Sequence, residues 1–107
     1  MRLPHLPPIT EAEFTKQVLD FAALHCWRTF HVRPGRTVRG WRTPVQGMGK
    51  GFPDIVAVRG RLIVAELKVK TKLSPEQEEW LRAFRVAGIE AYAWTPNDWP
   101  DIERILT

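Results

Sequence analysis

The chain of 107 residues contains a single cysteine, Cys26, so no intrachain disulfide staples it, and a lone thiol fits a reducing compartment. It also lacks any apolar run near the roughly 18 to 20 residues needed to cross a bilayer. The start, Met1-Arg2-Leu3-Pro4-His5-Leu6-Pro7-Pro8, is broken by prolines and has no apolar centre of the secretory kind, so a cytoplasmic, intracellular protein without membrane attachment is expected. No repeat and no low-complexity tract interrupts it. Acidic residues are missing from the whole interval between Asp20 and Asp54, which holds Arg28, Arg33, Arg36, Arg39, Arg42 and Lys50. A one-signed stretch of this kind, in a chain of net charge +4, is the electrostatic footprint of a polyanion partner. The competing explanation is a solvated loop that keeps a small protein soluble.

What is present reads as one α/β domain over residues 1–107, with a Pro-rich arm at 1–9 and a basic loop at 33–51. A chain this short buries only about two thirds of its unfolded surface, so modest stability or self-association is expected. Phe14, Val18, Phe21, Ala22 and Leu24 recur at helical spacing and predict a helix over 11–25. Residues 27–32 alternate Trp27, Thr29 and His31 against Arg28, Phe30 and Val32, as a strand does. Residues 33–51 carry Pro34, Gly35, Gly40, Pro44, Gly47, Gly49 and Gly51 and read as a long functional loop. A helix from Pro75 to Ala87 stops at Gly88, Ile89 to Thr95 is the last core strand, and Asp98 to Leu106 is a terminal helix. The order is αβββαβ with a terminal helix.

The chemistry concentrates in Gly51-Phe52-Pro53-Asp54 and Glu66-Leu67-Lys68. Between them lie Ile55-Val56-Ala57-Val58, then Arg59-Gly60-Arg61, then Leu62-Ile63-Val64-Ala65, a hairpin pattern. With the turn centred on Gly60, Asp54 faces Glu66 across the strands, where Cβ atoms lie about 5 Å apart and two ionised carboxylates repel unless a cation separates them. Glu66 and Lys68 share one strand face, and Leu67 points to the other. Oxygen ligands from Asp54, Glu66 and the Leu67 backbone carbonyl suit Mg²⁺ or Mn²⁺, with Lys68 beside the attacking water or the phosphoryl charge. A surface hairpin in which Asp54 and Lys68 form an ion pair is the bland alternative.

These segments resemble the VRR-NUC branch of the PD-(D/E)xK nucleases. The match runs through Thr10-Glu11-Ala12-Glu13-Phe14 with Val18, Gly51-Phe52-Pro53-Asp54, Glu66-Leu67-Lys68, Leu73-Ser74-Pro75-Glu76-Gln77 with Trp80-Leu81, and Ala87-Gly88, in the family's order and spacing. One departure is Cys26, where the family often has Gly, and it bears on how the first helix ends. The resemblance implies a restriction-endonuclease-like core, a mixed sheet flanked by helices. It implies a Mg²⁺- or Mn²⁺-dependent deoxyribonuclease acting on duplex or branched DNA, with Asp54, Glu66, Lys68 and Gln77 as catalytic residues. Stand-alone domains of this size look like structure-specific nucleases, Holliday-junction resolvases of recombination and repair among them, working as homodimers and sometimes carried by phages.

Two residues have a structural explanation beside the functional one. Thr10-Glu11-Ala12-Glu13 fits a capping box that accounts for Glu13; Glu11, spaced with Phe14 and Val18 and so placed on the buried stripe, is read as a third, water-mediated metal contact rather than only a charge on the helix dipole, and it is also where the family's helix-borne acid falls. Ser74-Pro75-Glu76-Gln77 is another capping box, so Gln77 either only caps or also lines the site, as the family implies. His31 is a further candidate for a metal or phosphate, and Trp41 for stacking on a base. Gly47-Met48-Gly49-Lys50-Gly51 lacks the spacing and hydroxyl of a nucleotide-binding loop, so no nucleotide cofactor is expected, and it instead lets the backbone and Lys50 approach DNA. Two other classes stay open: a non-cleaving DNA-binding module on a nuclease fold, and a cleaving subunit targeted by a partner protein.

Overall fold

The structure is a computed structural model that describes residues 8–32, 35–37, 40–42 and 47–107. Its elements are α1 (Glu11–Leu24), β1 (Arg28–His31), β2 (Gly35–Thr37), β3 (Gly40–Arg42), β4 (Ile55–Val58), β5 (Leu62–Leu67), α2 (Pro75–Val86), β6 (Glu90–Trp94), a 3₁₀ turn at Pro96–Asp98 and α3 (Trp99–Leu106). The expected αβββαβ core is α1, β1, β4, β5, α2 and β6. The 33–51 stretch departs from expectation: it is not loop throughout, because β2 and β3 pair antiparallel, with Arg36 opposite Trp41 and Gly35 opposite Arg42. Strands this short show no alternation in the sequence, and the glycines and prolines that flank them dominate the pattern. Arg33 and Arg39, and most of the Pro-rich arm, lie outside the described residues.

The main sheet runs β1-β4-β5-β6, with β4 antiparallel to both β1 and β5, and β6 parallel to β5 across the α2 crossover. The β4–β5 hairpin turns at Gly60, whose φ of +67° is the left-handed conformation that glycine adopts without cost, and Val58 pairs with Leu62 around it. Flanked on both edges, β5 is apolar on both faces except at Glu66. Ile63, Ala65 and Leu67 enter the larger core with Phe14, Val18 and Ala22 of α1 and Ile102 and Leu106 of α3. Val64 points the other way, against Leu81 of α2 and Ala91. Helices α1 and α3 therefore cover one face and α2 the other.

The tip of this hairpin is tied to the chain's other end by contacts no sequence pattern announces. The Arg59 guanidinium sits 4.6 Å from the Trp27 ring centroid and donates to the carbonyls of His25 and Thr107, at 2.7 and 3.1 Å. Arg61 donates to Ile105 O and pairs with Glu90 at 2.7 Å, while the Trp27 indole donates to Leu106 O at 2.8 Å. The ends of α1 and α3 and the β4–β5 turn thus share one anchor.

Helices α1 and α2 end in the same motif on different residues. After α2, Ile89 N–H donates to Phe84 O and Gly88 N–H to Arg85 O, with Gly88 at φ +83°. After α1, Trp27 N–H donates to Ala22 O and Cys26 N–H to Ala23 O, with Cys26 at φ +68°. Both are Schellman caps, which favour glycine at the left-handed position; Cys26 bears a Cβ there, at a cost of roughly 1 to 2 kcal/mol. Cys26 is exposed, so its side chain contributes little burial in return. Cys26→Gly should therefore raise stability by about 1 kcal/mol, partly offset by the freer unfolded chain, a gain of several degrees in Tm, whereas Gly88→Ala should lower it. A fall in the melting temperature of Cys26→Gly would show that the thiol does more than occupy the cap.

Candidate functional site

Asp54 stands immediately before β4, and extending the register from Ile55 opposite Ala65 sets it across from Glu66. One Asp54 carboxylate oxygen accepts from Leu67 N–H at 2.9 Å, and its backbone carbonyl accepts from Val32 N–H at 2.9 Å, so both ends of the residue are fixed by neighbouring strands. Lys68 N–H donates to Trp94 O, carrying the parallel ladder one residue past the strand. Asp54, Glu66 and Lys68 share the α2 side of the sheet, the side of Val56 and Val64. There Glu66 is 1% exposed, the sole acidic residue in the core of the described residues.

Glu66 has two partners. Gln77 donates its amide N–H to Glu66 Oε2 at 3.1 Å, and Asp54 shares a hydrogen bond with the same carboxyl. Burial first, then that hydrogen bond and the Asp54 charge, push the Glu66 pKa from 4.5 to about 9; Glu11 adds to the rise and Lys68 opposes it. A carboxyl so placed carries a proton at neutral pH unless a cation replaces it. Two facing carboxyl groups, one of them buried, with an ammonium on the same face, are a donor set that fits a hard divalent ion.

The remaining sequence candidates are placed as follows. Glu11 is exposed in the first turn of α1, not buried on the helix stripe, yet lies near enough for its charge to act on Glu66. Among the described residues there is no group of three His, Cys, Asp or Glu side chains that could hold a metal ion. Gln77 performs both roles considered for it. Its side-chain oxygen accepts from Ser74 N–H at 2.8 Å while its nitrogen reaches Glu66, so the capping box of α2 aims the amide. The first capping box, Thr10 with Glu13, is present as expected. His31 is half-buried at the end of β1, paired with Ile55 beside Asp54. Lys50 is exposed and 3.9 Å from Glu76. Arg36, Arg42 and Trp41 lie in the β2–β3 hairpin.

What the sequence did not announce is how the segment before Asp54 is held. Gly51, at φ +84°, lies against the start of α2: a Cβ there would come within 2.7 Å of the Glu76 backbone carbon and 2.8 Å of Gln77 N. Trp80 donates its indole N–H to the carbonyls of Met48 and Lys50, at 3.0 and 3.1 Å, and packs with Phe52 and Phe84 at 5.0 and 5.6 Å between ring centroids. The segment carrying Asp54 is thereby locked to the helix carrying Gln77. The run of glycines was the available signal, since a close backbone approach requires one.

The mixed sheet, with α1 and α3 on one face and α2 on the other, agrees with the restriction-endonuclease-like core expected from the sequence. Among solved structures it is similar to a VRR_NUC domain protein, with a TM-score of 0.64 and 17% sequence identity over 94% of this chain and 87% of that one. No family model and no curated protein matches the sequence.

Two predictions follow from these contacts. In EDTA the folded state holds a proton on Glu66 that the unfolded chain releases above pH 4.5, so stability should fall as pH rises from about 4.5 to about 9, by up to about 1.4 kcal/mol per pH unit. Glu66→Gln, which keeps the shape without the ionisation, should flatten that slope between pH 5 and 8.5; an equal slope in both proteins would refute the raised pKa. Gly51→Ala should strain the backbone and push Asp54 away from Gln77, lowering Tm and weakening stabilisation by added Mn²⁺, whereas Gly47→Ala, with open space around its Cβ position, should pay only the cost of its positive φ.

Proposed function

We propose that this chain is a Mg²⁺- or Mn²⁺-dependent deoxyribonuclease that hydrolyses backbone phosphodiesters. The observation that carries it is the buried Glu66 carboxyl facing Asp54 on a nuclease fold, with Lys68 on the same face. Asp54, Glu66 and the Leu67 carbonyl would hold the ion, and Glu11 would act on it through water. When bound, the ion neutralises phosphate charge and lowers the pKa of an attacking water. Gln77 orients the Glu66 carboxyl through the 3.1 Å hydrogen bond to Oε2. Lys68 directs its ammonium at the phosphate and stabilises the charge that develops on its oxygens as the bond to the leaving group breaks. Arg33, Arg36, Arg39, Arg42 and Lys50 neutralise neighbouring phosphates and position the strand without reading its bases.

Branched DNA is the proposed substrate, and a four-way junction offers two related positions that a chain of this size reaches most simply as a two-fold dimer. A non-cleaving module is disfavoured because a buried carboxyl facing a second one is a cost to folding that a module without chemistry has no reason to keep. A nuclease targeted by a partner protein uses the same residues and differs only in how it finds DNA.

The test is the purified protein with Mn²⁺ against linear duplex, single strand, flap and four-way junction. Asp54→Asn and Lys68→Ala should each reduce cutting by at least about a thousandfold, the scale set by losing a charged group from a transition state. Both should still bind DNA in the absence of metal. Undiminished cutting by Lys68→Ala would overturn the mechanism, and no cutting of any substrate by wild type would overturn the activity.

A further inference from the structure

A cavity of about 390 Å³ lies beside the carboxylate site and is used by nothing in that chemistry. Its wall is the outward stripe of α2, Glu76, Glu79, Trp80 and Ala83, and its other side is Met48 and Lys50. This size is within the range of small-ligand pockets, roughly 300 to 1,000 Å³. Its placement is specific: Glu76 precedes Gln77, the residue that bonds Glu66, and the Met48–Lys50 segment leads through Gly51 into Asp54.

The lining chemistry narrows the occupant. Trp80 has its indole N–H engaged by Met48 O and Lys50 O, and its ring is held by Phe52 and Phe84, so what it offers a ligand is a fixed aromatic surface rather than a donor. Met48, 84% exposed, adds a polarisable thioether at the edge. Among the described residues of the lining, Glu76 and Glu79 supply acceptors and no donors, and Lys50 supplies a cation at the rim, 3.9 Å from Glu76. A flat ring, carboxylate acceptors and a rim ammonium complement a flat heterocycle that carries an amino group and is joined to a phosphate.

On the nuclease reading given above, we propose that this cavity binds an unpaired nucleobase of the DNA substrate, stacked on Trp80, with the Glu79 carboxylate accepting from the base's exocyclic amino group. Stacking holds any base. The carboxylate favours cytosine, whose N4 amino group it accepts from, over thymine, which presents a carbonyl in that place. An unpaired base reaches this wall and a paired one does not, so the cavity gives the site a preference for flaps, gaps and junction centres over intact duplex.

The experiment measures anisotropy of labelled single-stranded 12-mers of dC, of dT and of abasic sugar-phosphate, with Ca²⁺ in place of Mn²⁺, beside a separate plasmid-nicking assay in Mn²⁺. Wild type should bind the dC strand about 10-fold more tightly than the abasic strand, in keeping with one stacked base. Ala83→Phe, at an exposed position where the larger ring fills the cavity without disturbing the core, should bring that ratio close to one. Glu79→Gln should leave stacking and remove the preference for dC over dT. Wild type that nicks plasmid but binds dC and abasic strands equally, or an Ala83→Phe protein that keeps the wild-type ratio, overturns the pocket and leaves the nuclease standing. Wild type that nicks nothing yet keeps a base preference that Ala83→Phe abolishes overturns the nuclease and supports the pocket, now as part of a binding module.

Discussion

Two carboxyl groups on adjacent strands, one of them sealed from solvent, are the constraint around which this small domain is arranged. A buried, unpaired carboxylate is costly, and Glu66 avoids that state by sharing a hydrogen bond with Asp54, by accepting from Gln77 and by holding a proton far above its usual pKa. Each of these partners must be delivered by a different element. Asp54 comes from the entry to β4, Gln77 from the first turn of α2, and the Lys68 charge from the exit of β5. The hairpin register and the start of α2 therefore have to be right together.

The docking of α2 explains how that is achieved in so few residues. Gly51 lets the backbone preceding Asp54 touch the helix start, and Trp80 bridges the same segment one helical turn later. The capping box adds a further economy, since the Gln77 amide uses its oxygen to close the helix and its nitrogen to steady Glu66. A residue that only capped would leave Glu66 with one partner fewer, and one that only lined the site would leave the helix start unsatisfied. The same amide thus couples helix nucleation to site geometry.

The parts legible in the sequence are those decided by local pattern. Gly60 between two apolar runs sets the turn and the register that puts Asp54 opposite Glu66, because slipping by one residue would move every β5 side chain to the opposite face of the sheet and take Glu66 into the core under α1 and α3. The caps of α1 and α2 were legible for the same reason. Glu11 is exposed although its spacing puts it on the buried stripe, because periodicity gives a face but not an end: side chains lean toward the helix N-terminus, so a first-turn residue overhangs whatever the rest of the face packs on. Arg59 and Arg61 were overlooked since their partners, carbonyls near residues 25 and 105–107, are joined to them only by the fold. The β2–β3 hairpin was hidden by the glycines and prolines at its borders.

Charge balance carries the site one step further. Around Glu66 the groups that act on its proton are Asp54 and Glu11, both raising its pKa, and Lys68, lowering it. With all four ionised, three carboxylates stand against one ammonium, and two negative charges remain in a setting that burial makes intolerant of them. A monovalent cation leaves the cluster negative and repels a phosphate diester, whereas one divalent cation brings it to neutrality. The proton on Glu66 is the metal-free answer to the same imbalance, and it answers only half of it. In the proposed nuclease, metal and proton compete for Glu66, so metal affinity rises with pH while the metal-free fold weakens. A neutralised centre is then approachable by the phosphate that the basic interval before Asp54 draws in.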